Sequence, residues 1–225
     1  KGPGLALARA AFAGMTARYW HDEGGWCFSL APDFSRRDPR RRTYDQAFAI
    51  FACAWYFRAS GDRTALDWAE RTLKALDALF AHPAGGYREG LPDSAPRRQN
   101  PHMHLLEALL ALYAASGRQQ HLDHARHIAA LFAERFFDAR RGIVHEELDD
   151  ALHPLPDASG FEPGHHFEWA WLLGQFAKAT GGGLDPAARR LVALAERVGR
   201  DPADGLIWDE ATYDGRTRAQ TKRIW

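Results

Sequence analysis

The feature that most constrains this chain is a repeat of about 60 residues. A glycine turn with an aromatic or aliphatic partner stands at Gly24-Gly25-Trp26, Gly85-Gly86-Tyr87, Gly142-Ile143-Val144 and Gly205-Leu206-Ile207-Trp208. After each turn a helical stretch opens on unusual polar or aromatic residues. These openings are Tyr44-Asp45-Gln46, Asn100-Pro101-His102-Met103-His104, Glu162-Pro163-Gly164-His165-His166 and Lys222-Arg223-Ile224-Trp225. From Tyr44 to His104, His165 and Trp225 the steps are 60, 61 and 60 residues. A fixed period of this size marks one supersecondary unit that must stack on its neighbours to bury its apolar face. If each unit is a helical hairpin in a ring, all four polar openings lie at one end. Residues 180 positions apart can then face one pocket.

The segments between the turns carry helical periodicity. Ala47, Phe48, Ile50, Phe51, Ala54, Trp55 and Phe57 form a nearly all-round apolar run, which predicts a buried helix. It closes at Ser60-Gly61-Asp62, a terminal glycine followed by a helix-start residue. Leu66, Ala69, Leu73, Leu76 and Leu79-Phe80 predict its partner over 63–81. Further pairs are predicted over 102–116 with 119–137 and over 165–180 with 185–199, while 5–20 reads as the second helix of an earlier pair. Alternations around Trp26-Cys27-Phe28 and Ile143-Val144-His145 predict small hairpins at the turns. No linker or composition shift interrupts the chain, so one domain over 1–225 is expected. It opens on a second helix and stops where the next should begin. An open end leaves apolar helix faces in water at about 25 cal/mol per Å². The expectation is therefore an incomplete set of repeats, lacking the first helix and the last hairpins.

Charge excludes several partners. Lys plus Arg equals Asp plus Glu at 29 each, so nothing favours nucleic acid or an anionic membrane. The one basic cluster, Arg36-Arg37-Asp38-Pro39-Arg40-Arg41-Arg42, reads as a solvated loop. No stretch approaches the 18 or so apolar residues of a membrane span. Two cysteines, Cys27 and Cys53, lack metal-type spacing and fit a reducing, cytoplasmic setting. A monomer and a homodimer fit equally well.

Two openings carry candidate chemistry. In Asn100-Pro101-His102-Met103-His104-Leu105-Leu106-Glu107-Ala108, Asn100 suits an N-cap and Pro101 a first turn. Asn100 and His104, four apart, share a helix face. In Glu162-Pro163-Gly164-His165-His166-Phe167-Glu168-Trp169-Ala170-Trp171, His165 and Glu168 are three apart, side by side at a helix start. A carboxylate beside an imidazole fixes its tautomer and raises its basicity, as a general base near neutral pH requires. Trp169 and Trp171 lie off that face and read as core. His102, His104, His165 and His166 could in principle ligate a metal, but adjacent histidines diverge on a helix and no thiolate or HExxH pattern supports it, so no metal is expected. Tyr44 offers a hydroxyl to a polar ligand, and Trp225 could stack on a sugar face. There is no GxSxG, P-loop or GxGxxG, and Gly181-Gly182-Gly183 reads as a helix–helix loop.

Together, the Asn100–Ala108 and Pro163–Leu173 motifs resemble the N-acylglucosamine 2-epimerase superfamily; Tyr44-x-Gln46-Ala47-Phe48 and Arg223-x-Trp225 also fit. The two histidine motifs look most like its mannose isomerase branch. The resemblance covers essentially the whole chain and implies an all-α (α/α)6 barrel with a sugar at one mouth. It implies that His165 is an acid/base on the sugar C1–C2 region, supported by Glu168. His104 would be a second active-site histidine, and Asn100, Tyr44 and Trp225 would contact the sugar. No cofactor is implied. Leu155 stands where some sulfosugar-handling members carry an arginine, which argues against an anionic sugar.

The chemistry suits these residue types. A proton beside a carbonyl is only weakly acidic, so a positioned base must remove it as the oxygen gains charge. Reprotonation at C1 through a cis-enediol gives the ketose, as in D-mannose to D-fructose. Reprotonation at C2 from the opposite face gives the 2-epimer, as with N-acylglucosamine or cellobiose. An (α/α)6 glycoside hydrolase would need two carboxylates across the scissile bond, and the openings offer histidines instead. A non-catalytic helical scaffold would leave the matched polar residues unexplained.

Overall fold

In this computed structural model the described residues are 2–156, 160–214, 216–219 and 221–222. Among them lie seven α-helices: α1 Pro3–Arg18, α2 Thr43–Ser60, α3 Thr64–Ala75, α4 Asn100–Ser116, α5 Gln119–Leu131, α6 Pro163–Thr180 and α7 Pro186–Gly199. Two of the predicted pairs pack as expected, α2 on α3 and α6 on α7. Helices α3 and α5 each continue into one π-helical turn, Leu76–Phe80 and Phe132–Phe136, that ends on a fully buried phenylalanine. Gly181 closes α6 in the left-handed region at φ 71°, and the Gly182 N–H returns to the Ala177 carbonyl at 2.9 Å. Such a closure needs a residue without the Cβ penalty of that conformation.

The glycine turns fold back as the alternating patterns predict. Trp20 bridges Trp26, Ala81 bridges Tyr87 and Arg200 bridges Ile207, while Phe137–Asp138 pairs antiparallel with Ile143–Val144. The first turn shows why glycine is needed. Gly25 has φ 86°, and a Cβ there would meet Gln46 Oε1 at 3.2 Å. Gln46 crowds the turn because it clasps it: the Trp26 N–H donates to Gln46 Oε1 at 2.7 Å, and Gln46 Nε2 donates to the Trp26 carbonyl at 3.0 Å. In the third repeat His166 takes this role, its Nε2 accepting from the Val144 N–H at 3.1 Å. Gln46 and His166 are each the fourth residue of their helix.

Short strand pairs tie the loops to the helix starts. Arg41–Arg42 pairs with Gly90–Leu91, and Arg97–Arg98 with Glu147–Leu148. Gly160–Phe161, Glu210–Thr212 and Thr217–Ala219 form a three-stranded sheet with Glu210–Thr212 in the middle.

The chain divides into two compact units, Lys1–Ala95 with His104–Ala125, and Pro96–Met103 with Arg126–Trp225. In the first, Trp20, Trp26 and Trp68 meet at 5.0–5.3 Å, and Trp26 Nε1 donates to Thr72 Oγ1 at 2.8 Å. In the second, Trp169 lies 4.4 Å from Phe132, and Ile143, Phe161, Leu194 and Ala211 form a buried cluster.

Several expectations change. Helix α2 is not buried all round: Ala47, Ile50, Cys53 and Ala54 are covered, but Phe48 and Trp55 are 38% and 48% exposed. Trp171, read as core, is 56% exposed, because it falls on the face of α6 opposite the buried Leu172 and Leu173. The arginine run is not simply solvated, since Arg41 is buried and donates to the Gly24 carbonyl and to Glu23. The repeat step is right for the unit but not for the register. Tyr44 is the second residue of α2, His104 the fifth of α4 and His165 the third of α6, because the connections before these helices differ in length.

Candidate active site

The helix start that holds His165 is set locally. Glu162 is extended at φ −92°, and Pro163 occupies the first helical position, where its fixed φ suits the helix and its missing N–H is no loss. The pairing of Arg97–Arg98 with Glu147–Leu148 brings the residues preceding α4 against the loop that follows Val144. His165, Gln99, Asn100 and Glu146 meet there.

His165 is 8% exposed and makes three polar contacts. Its Nδ1 lies 2.8 Å from Glu146 Oε2 and 3.0 Å from Gln99 Nε2, and its Nε2 lies 2.9 Å from Asn100 Nδ2. Glu146 is itself anchored, its Oε1 accepting from the Glu162 N–H at 3.0 Å and its Oε2 from Gln99 Nε2 at 2.8 Å. Glu162 Oε2 stands 3.8 Å from His165 Nε2. These groups open into a cavity of about 440 Å³, a volume suited to a small ligand. Phe161 and Leu155 give it an apolar wall. At its rim Arg98 faces Glu147 at 3.3 Å and Arg218 faces Glu210 at 3.7 Å.

Burial alone would lower the His165 pKa, but the Glu146 charge and hydrogen bond, with a smaller contribution from Glu162, raise it to about 9. Burial pushes the Glu146 carboxyl up, and the His165 charge with the hydrogen bonds from His165, Gln99 and the Glu162 backbone reverses this, leaving it below its usual range. The pair is thus an imidazolium and a carboxylate at neutral pH, each holding the other's charge.

Glu146, Glu162 and His165 could in principle share a cation, since their ligand-capable atoms lie within 4.8 Å of one another. Both Glu146 oxygens and His165 Nδ1 are already committed to hydrogen bonds within the protein. The donor set therefore fits a self-satisfied acid/base cluster rather than an ion site. His102 and His166 are also occupied as core groups. Burial lowers both to a pKa of about 4, keeping them neutral, and His102 Nδ1 contacts the Arg98 carbonyl at 3.2 Å.

The other candidates divide. Asn100 stands against His165. In the first unit Tyr44 and His104 meet edge to face at 5.2 Å, Phe48 lies 4.8 Å from the same imidazole, and His104 Nδ1 is 3.1 Å from Glu107 Oε2. The pairing of His165 with Glu168 is corrected. Glu168 is exposed and acts on His165 only through space, as the weakest of the charges that raise it, whereas Glu146 is hydrogen-bonded to the ring. Three residues along a helix make neighbours, but His165 turns inward to the loop and Glu168 outward. Trp225 lies outside the described residues.

Sequence reasoning missed Glu146 and Gln99. A signal existed in the turns. Counting two residues past the bridging positions Tyr87, Val144 and Ile207 gives Glu89, Glu146 and Asp209, an acidic residue at the same place in three repeats. Gln99 gave none beyond its place before an N-cap.

Comparison with known proteins bears on this arrangement. The chain is similar to the mannose-6-phosphate isomerase of Rhizobium meliloti (strain 1021), 34% identical over 216 residues that make up 92% of this chain and 56% of that protein. It is 26% identical to the cellobiose 2-epimerase of Ruminococcus albus over 224 residues, 91% of this chain and 56% of that protein. A solved D-mannose isomerase structure matches with a TM-score of 0.85 at 23% identity, over 98% of this chain and 61% of that one. This likeness shows the fold, the all-α (α/α)6 class. The chain spans about half the length of the curated relatives it matches. With the N-acylglucosamine 2-epimerase (GlcNAc 2-epimerase) family matching across residues 1–225 as well, the chain belongs to that family.

Proposed function

We propose that the protein is a sugar isomerase interconverting D-mannose and D-fructose, with His165 moving the proton. One observation carries this reading: an imidazole with Nδ1 tied to a buried carboxylate and Nε2 beside Asn100 at a cavity of about 440 Å³. In its unprotonated form, a minority at neutral pH, this imidazole takes the C2 proton of the open-chain aldose. The C–H electron pair becomes the C1=C2 bond, the carbonyl π pair moves onto O1, and O1 takes the proton of the C2 hydroxyl, leaving an enediolate charged on O2. The same ring returns the proton to C1 as the electron pair on O2 re-forms the carbonyl at C2, giving the ketose with the former hydroxyl proton on O1. Each turnover loads and unloads one imidazole, and the Glu146 carboxylate stabilises the loaded form. No metal or organic cofactor is needed for this step. His104, held by Glu107, keeps the role that the motif implies, a second active-site imidazole. Tyr44 and Asn100 are proposed as contacts to sugar hydroxyls, and Glu168 as an acidic group of the same motif.

An uncharged sugar fits better than a phosphorylated one. Both rim guanidiniums face carboxylates, and four carboxylates, Glu146, Glu147, Glu162 and Glu210, border the cavity against two arginines. Leu155, an apolar residue, lines the wall of the same cavity. A glycosidase is disfavoured because Glu146, the carboxylate beside Glu162, is committed to His165, Gln99 and the Glu162 amide.

The test is proton NMR with D-mannose in D2O. Fructose deuterated at C1, lost in His165→Ala, supports the isomerase. Glucose as the sole product moves the assignment to a 2-epimerase of the cellobiose type. Absence of exchange with free sugars, together with turnover of mannose 6-phosphate, would overturn both the neutral substrate and the rim argument.

A further inference from the structure

We infer that Trp169, Gln99 and Glu146 form a positioning relay that holds a proton on His165 Nδ1 and leaves Nε2 as the working nitrogen. The inference rests on the proposed proton-transfer role of His165 but concerns groups to which the family resemblance gives no role.

The relay starts from an atom with no choice. The Trp169 indole N–H can only donate, and it lies 2.6 Å from the Gln99 side chain with both residues fully buried. The Gln99 atom it meets must therefore be the carbonyl Oε1. This orients the amide, so Gln99 Nε2 faces Glu146 Oε2 at 2.8 Å as a donor. The Glu162 N–H holds the other Glu146 oxygen at 3.0 Å. With both oxygens pinned, Oε2 stands 2.8 Å from His165 Nδ1. A carboxylate oxygen and a ring lone pair repel at that distance, so the hydrogen lies between them, on Nδ1. Gln99 Nε2, 3.0 Å from the same ring nitrogen, presents only donors and cannot take that proton away.

The far side of the ring agrees. In the neutral ring Nε2 is then the acceptor, and Asn100 Nδ2 donates to it at 2.9 Å. Among the described residues, buried Asn100 Oδ1 has no hydrogen-bond partner. When Nε2 is protonated, a half-turn of this amide brings Oδ1 to accept the new N–H at the same place. Asn100 can thus serve both protonation states, while the Trp169–Gln99–Glu146 side can serve only one tautomer.

The decisive measurement needs no sugar, so its failure is distinct from failure of the isomerase reading. The ¹⁵N shifts of the His165 ring are recorded across its titration in the wild-type protein, in Gln99→Met and in Trp169→Phe, which keeps an aromatic ring but removes the N–H. Wild type is expected to show the Nδ1–H tautomer once the ring is neutral. Both variants are expected to lower the titration midpoint or mix the tautomers. In turnover assays the same variants should lose kcat, up to about 10²-fold as expected for a misplaced general base, with KM little changed. A purely structural role would lower thermal stability and leave tautomer and midpoint as in wild type. That result, or an Nε2–H tautomer in the wild-type protein, would overturn the relay.

Discussion

Replacing Gly199 by alanine tests whether the start of α6 is held by packing from α7. Gly199 is the last residue of α7 and is buried, and a Cβ added there would lie 2.5 Å from Pro163 Cβ and 2.7 Å from Pro163 Cγ. Ordinary contact begins at 3.4 Å, so the two helix ends must part by roughly 1 Å. A proline ring cannot rotate aside as a flexible side chain would. Overpacking of this kind costs about 1–3 kcal/mol, and the better helix propensity of alanine returns up to about 1 kcal/mol. The net expectation is a loss of about 1–2 kcal/mol, a fall in Tm of about 2–8 °C for a chain of this size. Pro163 is two residues from His165, so the displacement reaches the imidazole, and a misplacement of about 1 Å can lower kcat by about 10²-fold. The assay is thermal and urea unfolding followed by circular dichroism. Gly174→Ala serves as the control, in the middle of α6, where a Cβ meets only Leu184 Cδ1 at an ordinary 3.8 Å. It should be as stable as wild type or gain up to about 1 kcal/mol. Gly199→Ala melting at or above wild type would refute the steric argument.

Other outcomes follow from the His165 cluster. His165 has its pKa raised from 6.5 to about 9, so the stability it contributes is fully present below pH 6.5 and is lost as pH rises through about 9. Glu146 is held below its ordinary value of 4.5, so its contribution is present above pH 4.5 and is lost as pH falls through its lowered folded-state value. The Tm difference between wild type and His165→Gln should therefore shrink between pH 6.5 and 9, and a constant difference would contradict the pairing. Glu168→Gln should move the His165 NMR titration less than Glu146→Gln does, because Glu168 acts only through space; an equal shift would restore Glu168 as the direct partner. Dialysis against a chelator should leave the isomerisation rate unchanged, and a loss restored by a divalent cation would show that Glu146, Glu162 and His165 hold a metal.

Much of the architecture was legible because helices and tight turns are written locally. The glycine turns at Gly25, Gly86, Gly142 and Gly205 all carry positive φ, and the apolar spacing placed each helix to within a few residues. The misreadings share a cause. Phe48, Trp55 and Trp171 are apolar but exposed, since periodicity shows which residues could be buried and not whether a neighbour covers them. The register from Tyr44 to His104 to His165 came out uneven because a constant step in sequence absorbs different connection lengths.

Within the candidate site, the proline at the helix start, the histidine two residues later and the asparagine opening α4 could be recognised in the sequence, because helix-start chemistry depends on adjacent residues. The partner of the imidazole could not. Glu146 lies 19 residues before His165, and Gln99 lies 66 before it. The strand pair Arg97–Arg98 with Glu147–Leu148 brings them together. Helical spacing therefore offered Glu168, one turn along the same helix, and the fold supplied Glu146 instead. By itself the sequence determined the repeat, the helices and the family, which depend on spacings of a few residues. Which carboxylate meets the imidazole, and at which nitrogen, was decided only by tertiary structure, since charge and hydrogen bonding act over a few ångströms in space whatever the separation along the chain.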